Sequence, residues 1–438
     1  MRDATLPLLR SRRFLPLFVT QFLGATNDSL YRQAIGILIV FRLLAADPGQ
    51  AQILVSASAG IFILPYFLFS SIAGELADRM DKARLMRAVK IAEIGIMAAG
   101  AILLYVGDPY LLLIVLFLLG VHSTFFGPLK YSVLPQYLAP GELIAGNALV
   151  EGGTFVAILL GTIVGGLIIG DGVWLGWTAM LLLGVAVAGL LASLFLPRAP
   201  SVQPDVPIDW NLVRGTRDVV RTVTSHREVN RAVIGISWFW AAGAIYLGQL
   251  PIFAKSILGA DNEVATLMTA MFSIGIGAGS ILCARLLRGE ISARLAPWGA
   301  LGMALFTLDF YATGAMAAAG GGATLDVGGL VSSLAGLHAL ADLFLIAAAG
   351  GVFTVPLYAI VQARSAPGER ARAVAANNIV NSLYIVVAAV AAVALVKLGL
   401  GVRALYLLVG IGNLVVALAA WRLVGRRKGV TDLSSGAP

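Results

Sequence analysis

Long apolar runs separated by short charged or proline- and glycine-bearing connections make up almost the whole chain. A helix needs about 20 mostly apolar residues to cross the hydrocarbon core of a bilayer. Twelve runs of that order predict membrane-spanning helices over residues 14–43, 53–74, 88–107, 110–128, 145–169, 173–196, 231–257, 264–287, 296–319, 338–361, 373–397 and 402–424. The ninth and tenth are separated by a glycine-rich stretch, residues 320–329, expected to be a loop outside the membrane. Outer-membrane barrels instead alternate apolar and polar residues over segments of about ten, a period these unbroken runs lack.

Composition sharpens the class. Of 438 residues, 59% are apolar and 12% charged, about half the ionic content of an average soluble domain. So few charges do not cover a water-soluble globule of this size, which excludes a soluble enzyme. With the N-terminus inside, Lys and Arg number 4 in residues 2–13, 5 in 79–90, 1 at Lys130, 6 in 198–231, 3 in 285–294, 3 in 364–372 and 4 in 422–428. These cytoplasmic segments hold 26 of the 31 basic residues; Arg42, Lys255, Lys397 and Arg403 fall outside, and Arg32 falls within a span. The bias predicts two cytoplasmic termini. It assigns the net charge of +8 to orientation, with no nucleic-acid partner. Residues 1–13 are short and basic, and the run after them has no small-residue cleavage site. It therefore reads as a first span and not as a signal peptide. Cys283 is the sole cysteine, and His122, His226 and His338 are far apart, so no disulfide, zinc-ligand spacing, metal or cofactor is expected.

The longest connection, residues 197–231, straddles the chain midpoint and opens on Pro197, Pro200, Pro204 and Pro207. Residues 210–224 place Trp210, Val213, Val220 and Val223 near one helix face and Arg214, Arg217 and Arg221 on another. That suits either a helix lying along the membrane surface or a solvated linker. The flanking halves repeat. Pro128-Leu129 returns as Pro356-Leu357 at an offset of 228, and Pro140-Gly141-Glu142 as Pro367-Gly368-Glu369 at 227. Asn147 and Glu151 fall opposite Asn377 and Asn381 at an offset of 230. Six spans repeated in parallel about a central cytoplasmic loop are the layout of the major facilitator fold, whose site lies between the halves near mid-membrane. The expected architecture is an all-α integral membrane protein with twelve transmembrane helices in two pseudo-symmetric six-helix bundles. Residues 1–196 form the first bundle, 197–230 the central cytoplasmic loop with a candidate interfacial helix, 231–425 the second bundle and 426–438 a cytoplasmic tail.

Ionisable residues inside a span cost at least about 2.5–3.5 kcal/mol each and mark functional sites. Span 1 carries Asn27, Asp28 and Arg32. Arg32 lies four residues past Asp28 on the same helix face and is expected to neutralise it. The pair reads either as structural or as a site for a zwitterionic head group or coupling cation. Further candidate binding residues are Gln249 in span 7, Glu151 with Asn147 one turn earlier in span 5, and Asn377, Asn378 and Asn381 in span 11. Pro251, beside Gln249, is expected to break its helix and free backbone carbonyls. Each of these polar residues serves equally well as an interhelical hydrogen bond. Glu93, Asp309 and Asp342 rank lower, because spans 3 and 9 are usually peripheral in this fold and Asp342 is expected near the outer surface. The loop after span 2 reads Gly74-Glu75-Leu76-Ala77-Asp78-Arg79-Met80-Asp81-Lys82. It resembles the facilitator signature linking spans 2 and 3, with Asp81 where that signature usually has Gly. Gly74 permits close helix approach, and Asp78 is suited to cap a neighbouring helix or pair with an Arg. With Arg79, Asp81 and Lys82 they form a candidate gate. Gly161, Gly165, Gly275, Gly277 and Gly279 have small-residue spacing for helix packing.

Four stretches carry a more specific likeness. They are Gln21-Phe22-Leu23-Gly24-Ala25 with Asn27-Asp28; Phe126-Gly127-Pro128-Leu129-Lys130-Tyr131 with Leu134; Gly146-Asn147-Ala148-Leu149-Val150-Glu151-Gly152-Gly153-Thr154 running on to Gly161; and Trp210-Asn211-Leu212. In them the chain resembles the bacterial lysophospholipid transporter family (LplT type) of the major facilitator superfamily. The resemblance implies movement of lysophospholipid, chiefly lysophosphatidylethanolamine, from the outer to the inner leaflet of the cytoplasmic membrane. An acyltransferase/acyl-carrier-protein synthetase, expected here as a separate polypeptide, then restores the diacyl lipid. Asp28 would attract the ammonium and Arg32 or Lys130 the phosphate. A monomer is expected, with no enzymatic activity of its own. Two alternatives are a proton-coupled exporter of small amphipathic compounds, protonated at Asp28 or Glu151, and a non-transporting scaffold for a lipid acyltransferase. A lipid enzyme is disfavoured. His226 is followed by Arg231, His338 reaches Asp342 one residue too soon for a His-x4-Asp pair, and no Gly-x-Ser-x-Gly elbow is present.

Overall fold

Inside hydrocarbon a backbone satisfies its own polar groups only as a helix or a closed barrel. The computed structural model, which describes residues 5–170, 175–205, 208–317 and 325–431, takes the helical solution throughout. Twelve long helices correspond to the twelve predicted spans: α1 (Leu15–Leu38), α2 (Pro48–Arg79), α3 (Lys82–Val106), α4 (Pro109–Ser132), α5 (Leu143–Gly170), α6 (Leu175–Leu194), α7 (Arg227–Ser256), α8 (Asn262–Leu287), α9 (Ala296–Ala317), α10 (Leu334–Arg364), α11 (Arg370–Lys397) and α12 (Val402–Thr431). Ten of them are by themselves long and apolar enough to cross a membrane. The other two, α1 and α9, have 24 and 22 residues, or about 33 Å or more at 1.5 Å per residue. Of the glycine-rich stretch, residues 320–324 lie outside the described residues, as do residues 432–438 of the tail.

Carboxylates start many of these helices. Asp47 accepts the N–H of Gln50 at 3.0 Å, Asp81 that of Arg84 at 2.9 Å, Asp108 those of Tyr110 and Leu111, and Asp261 that of Val264. Each satisfies N–H groups that the first helical turn leaves without a partner. Asp47 and Asp108 are followed by a proline whose fixed φ suits the first helical position. The Asp47 cap starts α2 ahead of the predicted 53, and at its other end α2 runs on past 74 and absorbs Gly74 to Arg79 of the predicted loop. Pro251 does not break α7, which continues to Ser256; neighbouring helices support the turn from which its ring removes a hydrogen bond.

In the first six helices α1 packs on α5 and α6, α3 on α4 and α6, and α2 on α4. In the last six α10 packs on α7, α8 and α9, α12 on α9, and α11 on α7. Between the two sets, α5 meets α8 and α10, while α11 meets α2 and α4. Small residues set these approaches. Gly161 and Gly165 lie on the α1 backbone at Thr26 and Leu30, and Gly152 faces Gly277 where α5 crosses α8. At Gly74 a side chain would run into Ala375 and the Ala371 carbonyl of α11.

The end of the molecule carrying the basic connections is closed by contacts between the two sets. Asp78 accepts the N–H groups of Ala371 and Arg372, both at 3.0 Å, and so caps α11 from the end of α2. Asn147 and Gln362 exchange two amide hydrogen bonds of 2.8 Å. Arg79 pairs with Glu75 at 3.1 Å, and the buried Lys82 donates its N–H to Ala199. The central connection lies over this closure. Its helix, Leu212–Ser225, buries Gly215, Val219 and Val223 against α2, α7 and α11. Val223 of the predicted apolar face is thus buried on the protein, while Trp210 and Val213 are 65% and 81% exposed. The four-residue spacing of Gly215, Val219 and Val223, with Gly215 against Ser71, lets the helix sit close to α2 and turns Trp210 and Val213 outward.

The α2–α11 crossing makes a direct prediction. Gly74→Val overpacks it and lowers the unfolding stability of the detergent-purified protein by about 1–3 kcal/mol. Gly60→Val, where a side chain meets open space, is expected to leave stability unchanged. Equal losses in the two thermal melts would remove the crossing as the cause.

Candidate functional site

A buried polar cluster is built from α1, α3 and α4. Lys90 and Glu93 are three residues apart on α3, share a face and form an ion pair at 1% and 0% side-chain exposure. The Glu93 carboxylate also accepts the Asn27 amide at 3.0 Å and lies 3.3 Å from His122 Nε2. Room for the lysine comes from Gly24 on α1 and Gly189 on α6, where side chains would collide with its end. A buried charge pair holds better as its remaining hydrogen-bonding positions are filled; Asn27 fills one on Glu93, and His122 stands beside the other carboxylate oxygen. The arrangement corrects two expectations. Glu93, ranked low as part of a peripheral span, is the hub of the cluster. Lys90, assigned to a cytoplasmic connection, is wholly buried and leaves the positive-inside tally.

Asn27 and Asp28 are consecutive on a helix, so they point in different directions. Asn27 is buried toward α3, while the partly buried Asp28 accepts the hydroxyl of Ser123 on α4. Its second carboxylate oxygen has no hydrogen-bond partner. Arg32 does not form the expected ion pair with Asp28 among the described residues. Its guanidinium lies over the Phe62 ring of α2, 5.8 Å from the centroid, a cation–π placement that competes with the pair. One helix face thus presents an anion and a cation without a direct ion pair between them.

A second polar layer lies toward the basic end. Because α4 continues through Pro128 to Ser132, Lys130 belongs to the helix and not to a connection. Its ammonium is 3.5 Å from Thr154 and 4.9 Å from the Tyr131 ring centroid. Thr154 donates to Gln21 at 3.0 Å, and the Tyr131 hydroxyl donates to Glu151 at 2.7 Å. Tyr131 stacks on Tyr358 of α10 with centroids 4.4 Å apart, and Tyr358 receives the indole N–H of Trp240 at 2.9 Å. Between α1, α5 and α8 is an apolar cleft of about 190 Å³, lined by Phe18, Phe22, Leu149, Gly153, Val156 and Ile281. Gln21 lies beside Gly153, one of its lining residues.

The other candidates divide. Asn377 is buried beside the Tyr358 hydroxyl, and Asn378 lies against Gly127. Asn381 accepts the Ser237 hydroxyl at 2.6 Å and joins α11 to α7. Asn147 belongs to the closure described above. Gln249 is partly buried and makes no hydrogen bond among the described residues. His122, Ser123, Tyr131, Thr154 and Tyr358 went unread in the sequence. A histidine inside an apolar run and the Lys90-x-x-Glu93 spacing were the available signals.

The cluster predicts strong coupling between its charges. Glu93→Gln strands the buried Lys90 ammonium and is expected to destabilise the protein by about 3–5 kcal/mol. Adding Lys90→Met to that variant should recover most of the loss. Thermal unfolding of both variants checks this, and a Glu93→Gln protein as stable as wild type would refute it.

A family model, the Major Facilitator Superfamily, matches residues 17–341. Among curated proteins, the lysophospholipid transporter LplT of Shigella boydii serotype 4 (strain Sb227) is 29% identical, over 94% of this chain and 97% of that protein. LplT of Escherichia coli O1:K1 / APEC is similar to the same extent. Among solved structures, the human organic anion transporter MFSD10 (TETRAN) superposes with a TM-score of 0.75 at 15% identity, covering 93% of this chain and 99% of that one. A bacterial homologue of the iron transporter ferroportin, in its outward-facing state, gives 0.66 at 15% identity with the same coverage. Twelve long helices, a matched family model and relatives along almost the full length lead to one conclusion: the chain belongs to the Major Facilitator Superfamily.

Proposed function

We propose that the chain carries lysophospholipid, chiefly lysophosphatidylethanolamine, from the outer to the inner leaflet of the bacterial cytoplasmic membrane by alternating access. Residues 1–196 and 231–425 act as the two rocking bundles, with both termini cytoplasmic. The observation that carries the reading is that Asp28, with one carboxylate oxygen left without a hydrogen-bond partner, and Arg32 share one face of α1 without an ion pair between them. A zwitterionic head group offers an ammonium to the carboxylate and a phosphate to Arg32 or to Lys130 further along. The single acyl chain needs only an apolar surface, and the cleft beside Phe18 and Phe22 supplies one within reach of Gln21. Closure at the basic end suits a form that receives substrate from the opposite side, and the relatives named lysophospholipid transporters agree with the substrate class. Reacylation falls to a lipid acyltransferase.

Asp28→Asn is expected to reduce uptake of labelled lysophosphatidylethanolamine by spheroplasts at least about tenfold, the loss of roughly one charge-assisted contact, without reducing expression. Wild-type transport in that variant would remove Asp28 from the mechanism. Drug efflux by the wild-type chain without lysolipid uptake would favour the exporter of amphipathic compounds instead.

A further inference from the structure

Away from the Asp28 site, α9 and α10 bring together three potential metal ligands. His338 and Asp342 are four residues apart near the start of α10 and so share a face; Asp309 reaches them from α9. His338 Nε2 lies 3.1 Å from an Asp309 carboxylate oxygen and 3.8 Å from one of Asp342. One ligand atom from each residue falls within 4.8 Å of the other two. We propose that these three side chains bind one divalent transition-metal ion of the zinc class, which staples α9 to α10 at the end remote from the basic connections.

Three observations carry the assignment. The first is spacing. Zinc–nitrogen and zinc–oxygen bonds near 2.0–2.2 Å in a tetrahedron place neighbouring ligand atoms about 3.3–3.6 Å apart, and the two measured separations bracket that edge. The second is charge. Two carboxylates converge on one imidazole, and among the described residues no arginine or lysine forms an ion pair with either. Asp342 is 2% exposed, so water does not screen it, and its further contact is the Thr313 hydroxyl at 3.5 Å. A dication supplies the missing positive charge. The third is access. The Asp309 and His338 side chains are 49% and 46% exposed, so an ion enters without the helices separating, and a fourth position is left for water. An imidazole in the set disfavours magnesium and calcium, which prefer all-oxygen ligands. Scanning for histidine and cysteine spacing missed this set because two of its three ligands are aspartates on different helices.

The test uses the full chain without a polyhistidine tag, purified in detergent and stripped with chelator, and titrated calorimetrically with zinc chloride. Saturable binding of one ion per chain is expected, with a thermal melt shifted upward by the ion. His338→Gln and Asp309→Asn, at half-exposed positions that tolerate change, should each weaken binding at least about tenfold. His226→Gln, on the exposed central connection, should leave it unchanged, and excess magnesium should not compete. Absence of zinc binding by the wild-type chain, which is the result if the carboxylates merely share a proton, overturns the proposal. So does binding that survives the Asp309→Asn/His338→Gln double variant.

Discussion

Inside hydrocarbon a carboxylate has no water to fall back on, and the first six helices are organised around that deficit at Glu93. A charge at this depth is tolerated only when partners reach it from the surrounding helices. Asn27 comes from α1, Lys90 from one turn earlier on α3, and His122 from α4. Because Asn27 precedes Asp28 on the same helix, meeting the needs of Glu93 also fixes the rotation of α1. The direction in which Asp28 points is therefore set by a residue it does not touch. The glycines at 24 and 189 belong to the same solution, since they make room for the lysine.

Closure at the basic end uses a different currency. Its principal contacts are a carboxylate on the free N–H groups of a helix start and a reciprocal amide pair. The amide bonds exchange for water at a net cost of about 0.5–1.5 kcal/mol each when the end opens, and those to Asp78, which also lies 3.6 Å from the Arg372 guanidinium, at about 1.5–3 kcal/mol. A handful of such contacts is compatible with two states separated by only a few kcal/mol, which a ligand can shift. The stack of Tyr131 on Tyr358 joins this closure to Lys130 and Glu151. Anything that draws those two charges therefore acts on the contact between the two sets of helices.

Much of the architecture was legible in the order of residues. Twelve apolar runs became twelve helices, and Asp28 and Glu151 were identifiable as charges in the wrong solvent, whereas Lys130 was assigned to a connection. Failures occurred where a partner lay elsewhere in the chain. The i,i+4 spacing of Asp28 and Arg32 suggested a pair, but Ser123 and Phe62 took the two groups instead. Pro251 stayed within a helix because neighbours support it.

What the sequence determined by itself is what hydropathy over about 20 residues determines: that the chain crosses a membrane, how often, and which connections are basic. Tertiary structure alone decided which polar residues meet. Asn27 and Glu93 are 66 residues apart, Asp28 and Ser123 are 95, and Asn147 and Gln362 are 215. Apolar helices repeat every 3.6 residues and present polar side chains in any direction without local cost. Only the packing of neighbouring helices, through close approaches at glycine, selects the direction in which each buried charge finds its partner.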